Sequence, residues 1–212
     1  MTGLRAKQKA DRRMRILEAA TAQFRAVGYD AARIEEIAEA AGVSVGTVYN
    51  YYENKGDILV AVVSMEVEEV LAAGAGIVED PPASVSGALA LLITQYFDHS
   101  LVYLSKDMWR TAMAISIQQP ESYFSRRYTE LDRLLSAQVS QLVRKLQLRG
   151  TVRPGIDVEA VGQMIFNNLN MMFIEFVKDQ NMTLEVLKEQ VARQNRPIAA
   201  LIVSLTHSGA KD

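Results

Sequence analysis

The sequence contains no cysteine, which removes disulfide staples, thiolate metal sites and cysteine nucleophiles together. It has only two histidines, His99 and His207, and neither follows a glutamate at three-residue spacing, so the carboxylate–histidine pairs of helical metalloenzymes are missing. A serine nucleophile would need one of those same histidines as its base, and no nucleophile elbow is expected. The chain is therefore expected not to be an enzyme and to carry no cofactor. No apolar run approaches the ~18 residues of a membrane span, and the charged N-terminus lacks the apolar segment of a secretion signal. A cytoplasmic protein without membrane contact is expected. Charge of one sign is also scarce, since the net value is −2 over 212 residues.

Charge distribution says more than charge total. Residues 1–15 hold six basic side chains (Arg5, Lys7, Lys9, Arg12, Arg13 and Arg15) against Asp11. Residues 1–55 carry nine basic against seven acidic groups, and the remainder fourteen against eighteen. A basic head on a mildly acidic body suits a protein that meets phosphate at one end.

That head contains the most informative stretch, Arg33 to Tyr52. Ile34, Ile37, Ala38 and Ala41 fall at helical spacing, with Glu35, Glu36 and Glu39 on the other side. Gly42 supplies the positive φ needed where a helix ends in a sharp turn. Ser44 stands at an N-cap position, and a second short helix follows through Val45, Thr47, Val48 and Tyr51. A helix pair with a tight glycine turn presents its second helix to a major groove.

The rest of the chain reads as all-α, with nine or ten helices and no convincing strand alternation. Helices are expected at about 11–27, 57–78, 84–103, 106–118, 121–149, 157–179 and 183–207. The pair Pro81-Pro82 is the clearest breaker. Pro197 lies inside the last pattern, where the helix either kinks or divides at Arg196. The expected layout is a flexible basic arm (1–10), a helix-turn-helix domain (11–56) and a helical effector-binding and dimerisation domain (57–212).

Residues from about Arg12 to Ile58 resemble the head of TetR-family transcriptional regulators. The marks are Phe24, Gly28-Tyr29, Ile37-Ala38, Ala41-Gly42-Val43-Ser44, Gly46-Thr47, Tyr49, Tyr51-Tyr52, Lys55 and Leu59. The resemblance implies a DNA-binding regulator, by analogy a repressor, with a dimeric, ligand-sensing helical body. It also implies that Thr47, Tyr49, Tyr51 and Lys55 grip phosphates while Val45 and Gly46 approach base edges. The alternative is a constitutive or architectural DNA-binding protein without effector control.

Chemistry supports the same surface. Between Ser44 and Tyr52 only Asn50 has the amide suited to bidentate base reading. Arg33 stands where the family usually has a hydroxyl cap, and it is expected to reach DNA instead. Double-stranded DNA with a palindromic site is the expected partner, since two-fold dimers read palindromes. A homodimer interface is expected on the stripes Val161, Ile165, Leu169 and Leu187, Val191, Ile198, Ile202. Tyr96, Trp109, Met113, Asn167, Asn168 and Met171 mix apolar, aromatic and amide groups in the manner of an adaptable pocket. They are expected to hold a small, largely apolar effector. Its binding would swing the helix beginning at Asp57 and change the separation of the two heads.

Overall fold

The computed structural model describes residues 2–204, apart from the side chains of Thr2 and Leu4. The expected helix end at His207 lies outside the described residues. Among those described, the chain forms nine α-helices. They are α1 (Thr2–Val27), α2 (Ile34–Ala40), α3 (Val45–Tyr49), α4 (Lys55–Glu79), α5 (Val85–His99), α6 (Lys106–Gln118), α7 (Tyr123–Leu148), α8 (Val158–Lys178) and α9 (Leu184–Ile202). All-α is therefore the fold class.

Helix starts follow capping chemistry. Ser44, Ser84, Ser105, Asp157 and Thr183 each accept a backbone N–H of the first turn of α3, α5, α6, α8 and α9. Several boundaries differ from the sequence expectation, and α5 ends at His99 rather than near residue 103. Helix α1 begins at Thr2 rather than near Asp11, so residues 2–10 are helical where a flexible arm was expected. Its apolar period starts only at Ile16, and the exposed first turns carry no hydrophobic signal. Helix α9 runs through Pro197 as one helix, so the chain does not divide at Arg196. A short antiparallel bridge, Val152 to Val203, was not foreseen.

Contacts divide the chain elsewhere than at residue 56. One compact unit comprises the chain up to Glu66 together with Val102–Thr129; the other comprises Val67–Leu101 together with the chain from Glu130 on. Helices α4 and α7 each contribute residues to both. In the first unit Ile16, Leu17, Phe24, Ile37, Val48, Ile58 and Leu59 are buried. In the second, Leu92, Val139, Leu142, Leu146, Ile165 and Leu187 are fully enclosed. Gly162 of α8 allows a close crossing with α7, because a Cβ there would lie 2.5 Å from the Ser140 Cα. No described helix is long and apolar enough to cross a membrane.

Candidate nucleic-acid interface

The corner between α2 and α3 is fixed by backbone chemistry. Gly42 takes φ 63°, the Gly42 N–H donates to the Glu39 carbonyl at 3.0 Å, and the Val43 N–H donates to the Ala38 carbonyl at 3.0 Å. This pair of bonds satisfies the last carbonyls of α2 and turns the chain at once. Arg15 of α1 adds a bond to the Ala41 carbonyl at 3.1 Å, placing a cation at the negative end of α2. Ser44 Oγ then accepts the Thr47 N–H at 3.1 Å and starts α3.

Residues 42–46 do have the spacing Gly-x-Ser-x-Gly, against the expectation of no such element. Here, however, it joins two helices, and the serine Oγ is engaged with Thr47. A nucleophile elbow needs a strand-to-helix turn and a histidine base. The spacing therefore carries no hydrolase reading.

Helix α3 buries Val48 completely and turns the opposite side outward. Gly46 and Asn50 are exposed, Val45 is half-buried and Tyr49 is 50% exposed. These residues share a face, at spacings of one, four and five. Gly46 is informative because the fold does not need it. A Cβ there would meet only Ser44 Oγ, at an ordinary 3.9 Å, while glycine costs a helix about 1 kcal/mol relative to alanine. The missing side chain leaves this part of the exposed face open.

The other expected DNA contacts are partly occupied within the protein. Thr47 Oγ1 lies 2.8 Å from Ser44 Oγ. Tyr51 donates its phenol to the Lys9 carbonyl at 3.3 Å. Arg33 is largely exposed, provides no side-chain cap, and lies 3.6 Å from Glu35. Lys55 departs furthest from expectation. Its Nζ donates to the carbonyls of Asp30 and Ala32 at 2.9 and 3.1 Å and lies 4.7 Å from the centre of the Tyr29 ring. Burial, together with Asp30 and Asp57, raises the pKa of the Tyr29 phenol. Lys55 therefore closes the α1–α2 connection as a structural cation.

A family model described as bacterial regulatory proteins, tetR family, matches residues 16–62, the same segment that builds this corner. This segment is a TetR-family DNA-binding head. It is similar to the fatty acid metabolism regulator protein of Bacillus subtilis, with 27% identity over 192 residues, 87% of this chain and 94% of that protein. A TetR-family structure from Mesorhizobium loti aligns with TM-score 0.73 at 23% identity, covering 92% of this chain and 98% of that one. The transcriptional regulator FadR from B. subtilis, solved with stearoyl-CoA, aligns with TM-score 0.64 at 24% identity over 85% of this chain and 95% of that one. These two structures establish the fold.

The residues expected to hold an effector are divided between the two units. Trp109 and Met113 belong to the first unit, whereas Tyr96, Asn167, Asn168 and Met171 belong to the second. Asn167 and Met171 are exposed on α8, while Asn168, one residue round the helix, donates to Asn195 of α9 at 3.1 Å. Tyr96 is buried and donates to Gln138 Oε1 at 2.7 Å, and Gln138 in turn donates to the Leu71 carbonyl at 2.8 Å. Asn167 and Asn168 are both positions of the continuous helix α8.

The expected dimer stripes also need correction. Ile165, Leu169, Leu187, Val191 and Ile202 are buried within a single chain, and Val161 and Ile198 are half-buried. Their regular apolar spacing is that of a monomer core. The exposed apolar groups on these two helices are instead Met164 and Met171 on α8 and Val186 and Leu201 on α9. They stand outside the strongest apolar stripe, so periodicity alone did not single them out.

Proposed function

We propose that this regulator is a cytoplasmic, homodimeric repressor that holds a palindromic operator through α3 and releases it when a long-chain acyl-CoA binds its second unit. Gly46 carries the DNA part of the reading, as a glycine whose absent side chain benefits only an approaching partner. Val45 and Asn50 flank it as readers of base edges. Tyr49 and Arg33 are placed to meet phosphates, which fix register without reading sequence. Lys55 supports this surface indirectly by holding the loop before α2.

The exposed Met164, Met171, Val186 and Leu201 are the surface we assign to the dimer, since paired helices from two copies would bury them. Similarity along nearly the whole length of a fatty acid metabolism regulator supports the acyl-CoA assignment. So does an open groove of about 360 Å³ in the second unit, where Lys145 and Arg144, the latter paired with Glu159, stand beside the highly exposed Leu148. Such a lip suits phosphate groups next to an apolar chain.

The deciding experiment titrates a fluorescent operator complex with stearoyl-CoA, free CoA and stearate. Release by stearoyl-CoA alone is expected, because an effector must bind the two states of the regulator differently. Retention of DNA at saturating acyl-CoA would leave a constitutive DNA-binding protein. In parallel, Gly46→Ala should fold at least as stably as the parent yet bind the operator at least about tenfold more weakly, a loss of about 1.4 kcal/mol. Undiminished binding by that variant would remove α3 from the groove.

A further inference from the structure

Helices α5 and α9 of the second unit enclose a crevice of about 160 Å³. Leu89 and Ile93 of α5 and Val191 of α9 form its apolar walls. Its uncharged polar residues are Ser86, Thr94 and Asn195, of which Asn195 is the buried one, only 5% exposed. The Asn195 Oδ1 accepts a bond from Asn168, but its Nδ2 is buried and has no partner. Turning both amides over would exchange donor and acceptor and still leave one Asn195 atom unpaired. Burying an unpaired amide destabilises the folded state, which makes it a poor choice for a residue that only packs.

Two cations stand at the same crevice. Lys188 is already engaged by Asp98, whereas Arg196 is exposed and carries no ion pair among the described residues. An acceptor oxygen placed inside would therefore lie beside Asn195, one of whose amide atoms is unpaired, and near one available guanidinium.

From this we infer that the α5–α9 crevice is a binding site for a small monocarboxylate with an apolar body, its oxygen on Asn195 and its charge toward Arg196. The volume sets the size, since a cavity of about 150 Å³ accepts a benzene-sized body. A long acyl chain with its nucleotide head is far larger, so this is a second, smaller site that does not rest on the acyl-CoA reading. Nor would the proposed dimer cover it. Val186 and Asn195 are nine residues apart, half a rotation at about 100° per residue, and so lie on opposite sides of α9.

The test uses the full chain without DNA, titrated calorimetrically with benzoate, hexanoate and the neutral analogue benzyl alcohol. Saturable binding of both carboxylates at one site per chain is expected, with benzyl alcohol about tenfold or more weaker. Ala90→Phe, which puts bulk into the crevice from an exposed position, should weaken benzoate about tenfold or more. Arg196→Ala should erase the preference for benzoate over benzyl alcohol while leaving the helical circular dichroism unchanged. Asn195→Leu should weaken all three ligands. No saturable binding at millimolar concentration would overturn the proposal, as would benzoate binding unaffected by Ala90→Phe or a preference that survives Arg196→Ala.

Discussion

Gly162→Ala is normally the kind of change that stabilises a helix, by about 1 kcal/mol, yet here it should destabilise the protein. A Cβ at position 162 would lie 2.2 Å from Ser140 Oγ, 2.8 Å from its Cβ and 2.5 Å from its Cα. The hydroxyl can rotate away, but the Cα is backbone of α7 and moves only with its helix. Restoring ordinary carbon–carbon contact at about 3.5–4.0 Å requires α7 and α8 to part by roughly 1 Å. That separation loosens contacts along the whole crossing, and overpacking of this kind costs about 1–3 kcal/mol. A net loss of about 2 kcal/mol is a substantial share of a stability of about 5–15 kcal/mol. It should lower Tm by about 4–8 °C for a chain of this length.

Urea unfolding followed by circular dichroism, repeated at two protein concentrations to account for subunit association, measures the effect. Gly76→Ala serves as the control, because a Cβ there meets nothing within 4 Å; a gain of about 0.5–1 kcal/mol is expected. Ser140→Ala combined with Gly162→Ala should not restore stability, since it removes Oγ and leaves the Cα in place. If Gly162→Ala proved as stable as the parent, the close α7–α8 crossing would be wrong.

Three further outcomes follow from particular contacts. Ser44→Ala removes the α3 cap and the Thr47 hydroxyl partner, and should cost about 1 kcal/mol in unfolding experiments. Lys55→Gln should lower stability by about 1–2 kcal/mol through the lost carbonyl bonds. It should also leave the slope of log K against log salt for operator binding unchanged; a slope reduced by about one per subunit would make Lys55 a phosphate contact after all. Burial raises the pKa of Asp132 to about 6, so the folded state holds its proton where the unfolded chain has released it. Stability is then greatest below the ordinary carboxylate pKa, falls as pH rises toward 6, and stays lowered above it. Asp132→Asn should accordingly raise the urea midpoint at pH 7.5, by about 1–2 kcal/mol after allowance for residual solvent access, and have little effect at pH 4.

The helix-turn-helix was legible because its signals are local. Gly42 has to supply a positive φ, Ser44 has to cap, and Ile37, Ala38 and Val48 have to face inward, all within about fifteen residues. Each of these requirements acts through the backbone of its own neighbours, so the amino-acid order alone determines the corner and the outward face of α3. The all-helical class was legible for the same reason.

Roles that depend on which distant surface a side chain meets were decided only by tertiary structure. Apolar spacing showed that Ile165, Leu169, Leu187 and Val191 would be buried, but not whether the same chain or a second copy would bury them. Lys55 has the chemistry to grip a phosphate, and its contacts with Asp30, Ala32 and the Tyr29 ring turn it inward instead. Asn195 is one polar residue among several on α9 until Asn168 takes one of its amide atoms and the α5–α9 packing leaves the other unmatched. Helical periodicity records the direction in which a residue points on its own helix. What it meets there depends on elements brought together from far along the chain, and that pairing exists only once the chain has folded.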